Sequence, residues 1–260
     1  MERVYNFAAG PSAMPVEALE TAAKELLCFG NTGMSVMEMS HRSKMYLAIY
    51  EETEALLRDL MHIPDDYAVL MLQGGATLQF ASVAMNLLSE NGCADYIDSG
   101  NFAHGALVEA QKYGTVRCVA SSRAENYVRI PTWDESTFNP SADYFYITTN
   151  NTIFGTRYAT LPNTGKVPLV ADMSSNILSE CYNVRDFGVI FAGAQKNIGA
   201  KLGEYIKSTV EGWGLPCVET VRGLGLLRGV GLRKGAFSVP EGNTPAGYVN
   251  SLCMQAGLLA

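Results

Sequence analysis

The chain has 260 residues, of which 48% are hydrophobic and 17% charged, and its formal net charge is −7. This composition is typical of a globular protein that is long enough to bury a sizeable core. The acidic balance, without any stretch that concentrates Lys and Arg, argues against nucleic acid as a partner. No window approaches the roughly 20 apolar residues of a membrane span, and the N-terminus lacks a signal-peptide pattern. We therefore expect a cytoplasmic protein that does not bind membranes.

The cysteines are scattered and form no CxxC pair. They are Cys28, Cys93, Cys118, Cys181, Cys217 and Cys253. This spacing supports neither a metal site nor a disulfide framework. We expect reduced thiols and no bound metal.

The first fifth of the chain begins with an extended segment and continues with helices. Residues 6–15 are rich in Gly, Pro and small side chains, which predicts an extended lead-in. An apolar stripe predicts a helix from about Pro15 to Cys28, with Gly30 near its end. A second amphipathic stretch runs from Lys44 to Met61.

Two polar residues, His41 and Arg42, stand immediately before this second helix. One interpretation is that a serine caps the helix and that its polar neighbours are merely exposed. The other is an anion site, because Arg offers a planar fork for carboxylate or phosphate and a helix start adds backbone N–H groups. The sequence alone leaves both open.

A glycine pair follows the next apolar run. Ala68–Leu72 predicts a strand, which leads into QGGATLQF and a helix from about Thr77 to Leu88. Between a strand and a helix, such a turn can cradle a phosphate with backbone N–H groups and the helix dipole. The spacing is not that of a Walker motif, and an ordinary turn is the alternative.

The middle of the chain alternates strands and helices. Phe102 precedes a predicted helix that ends near Tyr113, and its ring belongs either to the core or to a stack on a flat cofactor. Thr152 lies in NNTIFGT, after a strand. The predicted strands are Asp95–Asp98, Thr115–Ala120, Tyr144–Thr149, Val167–Ala171 and Phe187–Phe191. This alternation predicts an α/β fold with a mainly parallel, doubly wound sheet.

A lysine and an aspartate follow the last two strands. Lys196 stands among small residues in FAGAQKNIG, and Asp172 ends the preceding strand. Parallel strands carry both to one edge of the sheet, where open α/β sheets bind ligands. The pair suggests pyridoxal 5′-phosphate, held by the lysine as a Schiff base while the aspartate meets the protonated pyridine nitrogen. The alternative is an exposed loop lysine.

Six motifs occur in an order that resembles the phosphoserine aminotransferase family of fold-type I enzymes. They are NFAAGPSAMP, MEMSHRSK, LQGGATLQF, TTNNTIFGT, VADMSSNILS and FAGAQKNIG, within residues 1–199. The resemblance implies that Lys196 is the Schiff-base lysine and Asp172 the pyridine-nitrogen partner. It also implies that Ala76, Thr77 and Gln195 hold the cofactor phosphate.

The same resemblance implies roles for four further residues. Thr152 would sit beside the cofactor ring, and Phe102 stands where the family often has a stacking tryptophan. Arg42, with His41, would bind the acidic substrate. The implied reaction moves the amino group of glutamate to 3-phosphooxypyruvate, giving phosphoserine for serine biosynthesis, in a homodimer.

The resemblance changes after Gly199. Residues 200–260 resemble part of the small domain of acetylornithine-type aminotransferases, which predicts a large cofactor-binding domain over 1–199 and an incomplete small α/β domain after it. Asn243 and Thr244 are similar to a family pair that reaches the partner subunit's cofactor. Two alternative functions therefore stay open: a cofactor-binding remnant with little activity, and acetylornithine-type specificity.

Overall fold

A computed structural model describes residues 6, 8–199, 218–222 and 229–232. These residues group into two compact units. The smaller unit consists of Met14–Leu72 and Cys181–Asp186, and the rest of the described chain belongs to the larger one. The predicted small domain over 200–260, with Asn243 and Thr244, lies almost entirely outside the described residues.

The larger unit is built on a five-stranded sheet. The described strands are β1 (Cys93–Asp98), β2 (Thr115–Ser121), β3 (Tyr144–Thr148), β4 (Asn150–Asn151), β5 (Thr156–Arg157), β6 (Leu169–Asp172), β7 (Val189–Phe191), β8 (Val218–Arg222) and β9 (Gly229–Leu232). The order in the main sheet is β2-β1-β3-β6-β7, and every neighbouring pair is parallel. The predicted parallel sheet is confirmed. The pairs β4–β5 and β8–β9 are antiparallel.

Four α-helices lie in the described chain. They are α1 (Val16–Glu25), α2 (Lys44–Met61), α3 (Gly75–Leu87) and α4 (Asn101–Ala110). Helices α3 and α4 belong to the larger unit, where their buried residues Phe80, Val83, Ala106 and Leu107 join one core cluster with Tyr96 and Val170 of the sheet. Helix α3 ends shortly before β1 begins and α4 begins shortly after β1 ends, so the N-termini of both helices lie toward the carboxyl end of the sheet.

Three tyrosines form the centre of this core. Tyr96 stacks on Tyr146 with ring centroids 4.6 Å apart, and the hydroxyls of Tyr96 and Tyr144 are 2.7 Å apart. Burial raises the pKa of Tyr144 to about 12, although its hydrogen bond with Tyr96 acts in the opposite direction. The pair satisfies two hydroxyls that would otherwise be buried without partners.

The smaller unit has α2 as its longest element. The Ser43 side chain caps this helix by accepting a hydrogen bond from the N–H of Tyr46, and the chain leaves it at His62 in a left-handed conformation. Arg58 ties the end of the helix to the next turn by donating to the carbonyl oxygens of Pro64 and Tyr67. The predicted bounds of α2 are confirmed.

One predicted strand is wrong. Residues 68–72 form no strand within the part of the chain that the structure describes, and Leu70 and Leu72 are 69% and 64% exposed. A short apolar run becomes a strand only when another strand pairs with it, and none of the described strands does so.

The described residues contain neither a membrane-spanning helix nor a cluster of metal ligands. Every α-helix there is too short or too polar to cross a bilayer. No group of three or more His, Cys, Asp or Glu side chains in this part is arranged to hold a metal ion. The described cysteines Cys28, Cys93, Cys118 and Cys181 are free thiols.

Candidate active site

Lys196 lies in a turn that follows β7. The backbone N–H of Lys196 donates to the carbonyl oxygen of Gly193 at 3.1 Å, which closes the turn. The side chain is half-buried, and its Nζ atom lies 4.6 Å from the centroid of the Phe102 ring. At this distance the ring face attracts the ammonium. The structure thus places two sequence-predicted site residues together.

Asp172 ends β6, the strand beside β7. The two strands are paired in register, with Asp172 opposite Phe191. Only 5% of Asp172 is exposed, and burial raises the pKa of its carboxyl group. Hydrogen bonds from Ser174 and the positive charge of Lys196 act in the opposite direction. The acid and the lysine therefore share one end of the sheet and interact electrostatically.

The loop after Asp172 connects these two residues. Ser174 donates its backbone N–H to Asp172 Oδ1 at 2.9 Å, and its hydroxyl accepts the N–H of Gly193 at 3.0 Å. Asn197, next to the lysine, donates to the Ile177 carbonyl at 2.5 Å and to Ser179 Oγ at 2.6 Å. Sequence reasoning missed Ser174 and Asn197, although the polar run SSN after Asp172 was a usable signal.

Strand β3, which pairs with β6 on the side opposite to β7, leads into a residue that holds the backbone of Asp172. Thr149, immediately after β3, donates both its N–H and its hydroxyl to the carbonyl oxygen of Asp172, at 3.0 and 3.1 Å. Its hydroxyl also lies 2.7 Å from Asn176 Oδ1. Thr149 and Asn176 are fully buried, so the backbone of Asp172 is held in a rigid environment.

The segment predicted to cradle an anion is the start of α3. Gly74 and Gly75 have φ values of 97° and 61°, which glycine adopts without steric cost. Gly74 is the N-cap residue, and among the described residues no side chain caps this helix. The N–H groups of the first turn, which contains Ala76 and Thr77, are therefore available to an anion, which the helix dipole would also favour.

Aromatic packing brings this cradle to the lysine's end of the sheet. Phe80, one turn after Thr77, packs edge-to-face on Phe191 with ring centroids 6.3 Å apart. Phe191 is the last residue of β7, five positions before Lys196. The start of α3 and the lysine turn therefore lie at the same end of the larger unit.

The other predicted residues of the larger unit also follow strand ends. Thr152 lies in the turn between β4 and β5. The Gln195 side chain folds back over Gly193, because a Cβ on that glycine would lie 3.1 Å from Gln195 Oε1. Their roles toward a cofactor stay predictions.

His41 and Arg42 belong to the smaller unit. Both are exposed, and the Nε of Arg42 donates to Nε2 of His41 at 3.4 Å. The backbone N–H of Arg42 donates to Ser40 Oγ. Ser43 caps α2, as the first interpretation of this segment expects. Substrate binding by Arg42 and His41 stays a prediction.

The residues of the larger unit fit pyridoxal 5′-phosphate. A lysine amine, a buried carboxylate on the adjacent strand, an aromatic ring beside the amine and an uncapped helix start match the groups that this cofactor needs. The parallel sheet and this site define an α/β transferase of fold type I.

The comparisons with known proteins give the family. The aminotransferase class-V family matches residues 4–201, and the chain belongs to this family of pyridoxal-phosphate-dependent enzymes.

Several similar proteins are named phosphoserine aminotransferase. The phosphoserine aminotransferase of Bacillus thuringiensis subsp. konkukian is 55% identical over 199 residues, which are 76% of this chain and 55% of that protein. A solved phosphoserine aminotransferase from Bacillus circulans subsp. alkalophilus has a TM-score of 0.72 and 45% identity. A pyridoxal-phosphate-bound phosphoserine aminotransferase from Trichomonas vaginalis has a TM-score of 0.71 and 38% identity. Each structure is matched over 76% of this chain and 55% of its own. The chain therefore spans about half the length of these relatives.

Proposed function

We propose that this chain transfers the amino group of glutamate to 3-phosphooxypyruvate, producing phosphoserine for serine biosynthesis. The observation that carries the proposal is the electrostatic coupling of Asp172, at the end of β6, with Lys196, in the turn that follows the adjacent strand β7. The phosphoserine aminotransferase relatives support the choice of reaction and substrates. A homodimer and a cytoplasmic location stay predictions.

Each residue of the site has a role that its chemistry allows. The bound cofactor supplies an electron sink that stabilises negative charge on the substrate carbon. Lys196 Nζ would hold the cofactor and, when free, would move a proton at that carbon. Asp172, which is buried and accepts the N–H of Ser174, would accept a hydrogen bond from the protonated pyridine nitrogen. The start of α3 would bind the phosphate, and Phe102 would supply an apolar face.

The acidic substrate requires a cation. Arg42 is exposed at the start of α2, and its guanidinium fork suits a carboxylate or a phosphate. We assign substrate binding to Arg42 with His41 on this chemical ground.

An absorption spectrum tests the proposal. We expect the purified chain to develop a visible band when pyridoxal 5′-phosphate is added, and we expect glutamate to remove the band as the cofactor takes its amine form. Lys196→Ala should show no such band. Lys112→Ala is the control, because Lys112 is exposed and pairs only with Glu109 among the described contacts. An unchanged band in Lys196→Ala would remove the central assignment.

The same preparation separates the alternatives. A cofactor-binding remnant would give the visible band but would not respond to glutamate. Acetylornithine-type specificity would show as faster loss of the band with acetylornithine than with phosphoserine as amino donor. Formation of phosphoserine from 3-phosphooxypyruvate after reaction with glutamate is the expected result.

A further inference from the structure

The N-terminal segment of the larger unit packs on the stem of Lys196. A Cβ built on Gly10 would lie 2.7 Å from Lys196 Cγ and 3.5 Å from its Cδ. The Ser12 hydroxyl donates a hydrogen bond to the backbone carbonyl oxygen of Lys196 at 3.0 Å, across 184 positions of sequence. Gly10 therefore packs against the side chain of Lys196, and Ser12 binds its backbone.

Position 10 requires glycine because the Lys196 side chain lies so close to its backbone. The backbone of Gly10 lies outside the left-handed region, so its conformation is open to alanine. What excludes a Cβ is the middle of the Lys196 side chain, which cannot move away as freely as a side-chain tip. Gly10 and the Phe102 ring therefore limit where the stem and the ammonium of Lys196 can lie.

We propose that Gly10 and Ser12 are positioning residues for Lys196. Gly10 leaves space for the lysine stem, and Ser12 fixes the backbone from which the stem extends. The proposal deepens the proposed function and rests on it in one respect, namely that Lys196 is the amine that carries the cofactor. Neither residue needs to touch the cofactor or the substrate.

The variant Gly10→Ala tests the first half of the proposal. The lysines of the full chain are reductively methylated with ¹³C-formaldehyde and a borane reductant, and the Lys196 signal is identified by its absence in Lys196→Arg. In the wild type, the ring current of Phe102 should shift this signal upfield, and Phe102→Leu should abolish the shift. Gly10→Ala should move the signal toward its unshifted position because the added methyl group displaces the stem.

Gly105→Ala is the matched control. A Cβ on Gly105 would lie 3.8 Å from Phe80 Cε2, which is ordinary contact, and Gly105 lies on α4, as Phe102 does. This variant should leave the Lys196 signal unchanged. In unmethylated protein, Gly10→Ala should slow the appearance of the visible band with pyridoxal 5′-phosphate by about tenfold to a hundredfold, since misplacing a reacting group by 1 Å has effects of that size.

Ser12 supplies a second variant that leaves the stem contact in place. Ser12→Ala should slow the appearance of the visible band roughly threefold to tenfold, which corresponds to the loss of one hydrogen bond. It should also move the Lys196 signal in the same direction as Gly10→Ala does. Ser12→Thr should restore both. This variant decides the question if Gly10→Ala does not fold.

An unchanged Lys196 signal in both Gly10→Ala and Ser12→Ala would overturn the proposal. The signal is measured without cofactor, so it is independent of the proposed function. If the variants move the signal but the wild type gives no visible band, the positioning role stands and the proposed function fails.

Discussion

The ammonium of Lys196 lies over the ring of Phe102, with Nζ 4.6 Å from the ring centroid. Phe102 is the second residue of α4, and Lys196 follows β7, so a helix start and a strand end meet at this contact. The aromatic ring thus has two possible partners: the lysine in the free protein, and a flat cofactor once the lysine has attached to it.

Replacing the Phe102 ring should show whether cofactor affinity depends on an aromatic side chain or only on an apolar one. We expect Phe102→Leu to weaken binding of pyridoxal 5′-phosphate by about 1 kcal/mol, because it removes a stacking surface. Phe102→Trp should bind the cofactor at least as well as the wild type, since indole offers a larger aromatic surface for stacking. Titration with pyridoxal 5′-phosphate, followed by the visible band, measures the dissociation constant of each variant. Equal affinities for the Leu and Phe proteins would contradict the assigned role.

The raised pKa of Asp172 predicts how stability depends on pH in the cofactor-free protein. Because burial makes the folded state favour the protonated acid, stability is largest below the pKa of the unfolded state. It falls as pH rises through the folded-state pKa. Asp172→Asn stays neutral, so it should be more stable than the wild type at pH 8, with the difference shrinking toward pH 4. Chemical unfolding at a series of pH values measures this trend.

Asp143 is the matched control, because its pKa changes in the other direction. Burial acts to raise this pKa, but N–H groups of Asn91 and Gly92 outweigh burial and lower it. Stability from Asp143 is therefore present above the pKa of the unfolded state and lost as pH falls through the folded-state value. Asp143→Asn should be less stable than the wild type at pH 8. The same sign for both variants would refute the argument.

Gly74 should tolerate alanine worse than another glycine of positive φ. An added Cβ at Gly74 would collide with the Leu78 side chain, whereas Gly165, with φ of 63°, has open space around its Cβ position. Both variants carry the left-handed backbone cost of roughly 1–2 kcal/mol. Only Gly74→Ala adds a collision, so its free energy of unfolding should fall further, and it should also lose cofactor affinity. Urea unfolding of the two variants, compared at one pH, provides the measurement.

The buried tyrosine pair should show strong coupling. Tyr144→Phe leaves the hydroxyl of Tyr96 without the partner that lies 2.7 Å away, which costs about 1–3 kcal/mol. Removing both hydroxyls, in Tyr96→Phe with Tyr144→Phe, should be less destabilising than the sum of the two single changes. A double-mutant cycle of unfolding free energies measures the coupling. Simple additivity would show that the two hydroxyls do not depend on each other.

The sequence predicted the features that depend on local pattern. The placement of Lys196 and Asp172 followed from strand ends and the parallel order of β6 and β7, and both features are present. The bounds of α2 followed from its period and its capping serine. These features need only neighbours in sequence and one rule about sheets.

The features that the sequence did not predict depend on distant partners. The predicted strand at residues 68–72 needed a pairing strand that local pattern cannot supply. The hydrogen bonds of Asn197 to Ile177 and Ser179 depend on how a loop folds. The contact of Gly10 with Lys196 joins residues 186 positions apart, and the glycine pattern there indicated only an extended lead-in.

Ser174 connects the segment that carries Asp172 with the segment that carries Lys196. Its N–H holds the Asp172 carboxylate and its hydroxyl holds the backbone two residues after β7. One short loop thus ties the end of β6 to the backbone that precedes Lys196. Transplanting this lysine into another parallel sheet would therefore require residues 172–179 as well, since their hydrogen bonds hold the chain on both sides of the site.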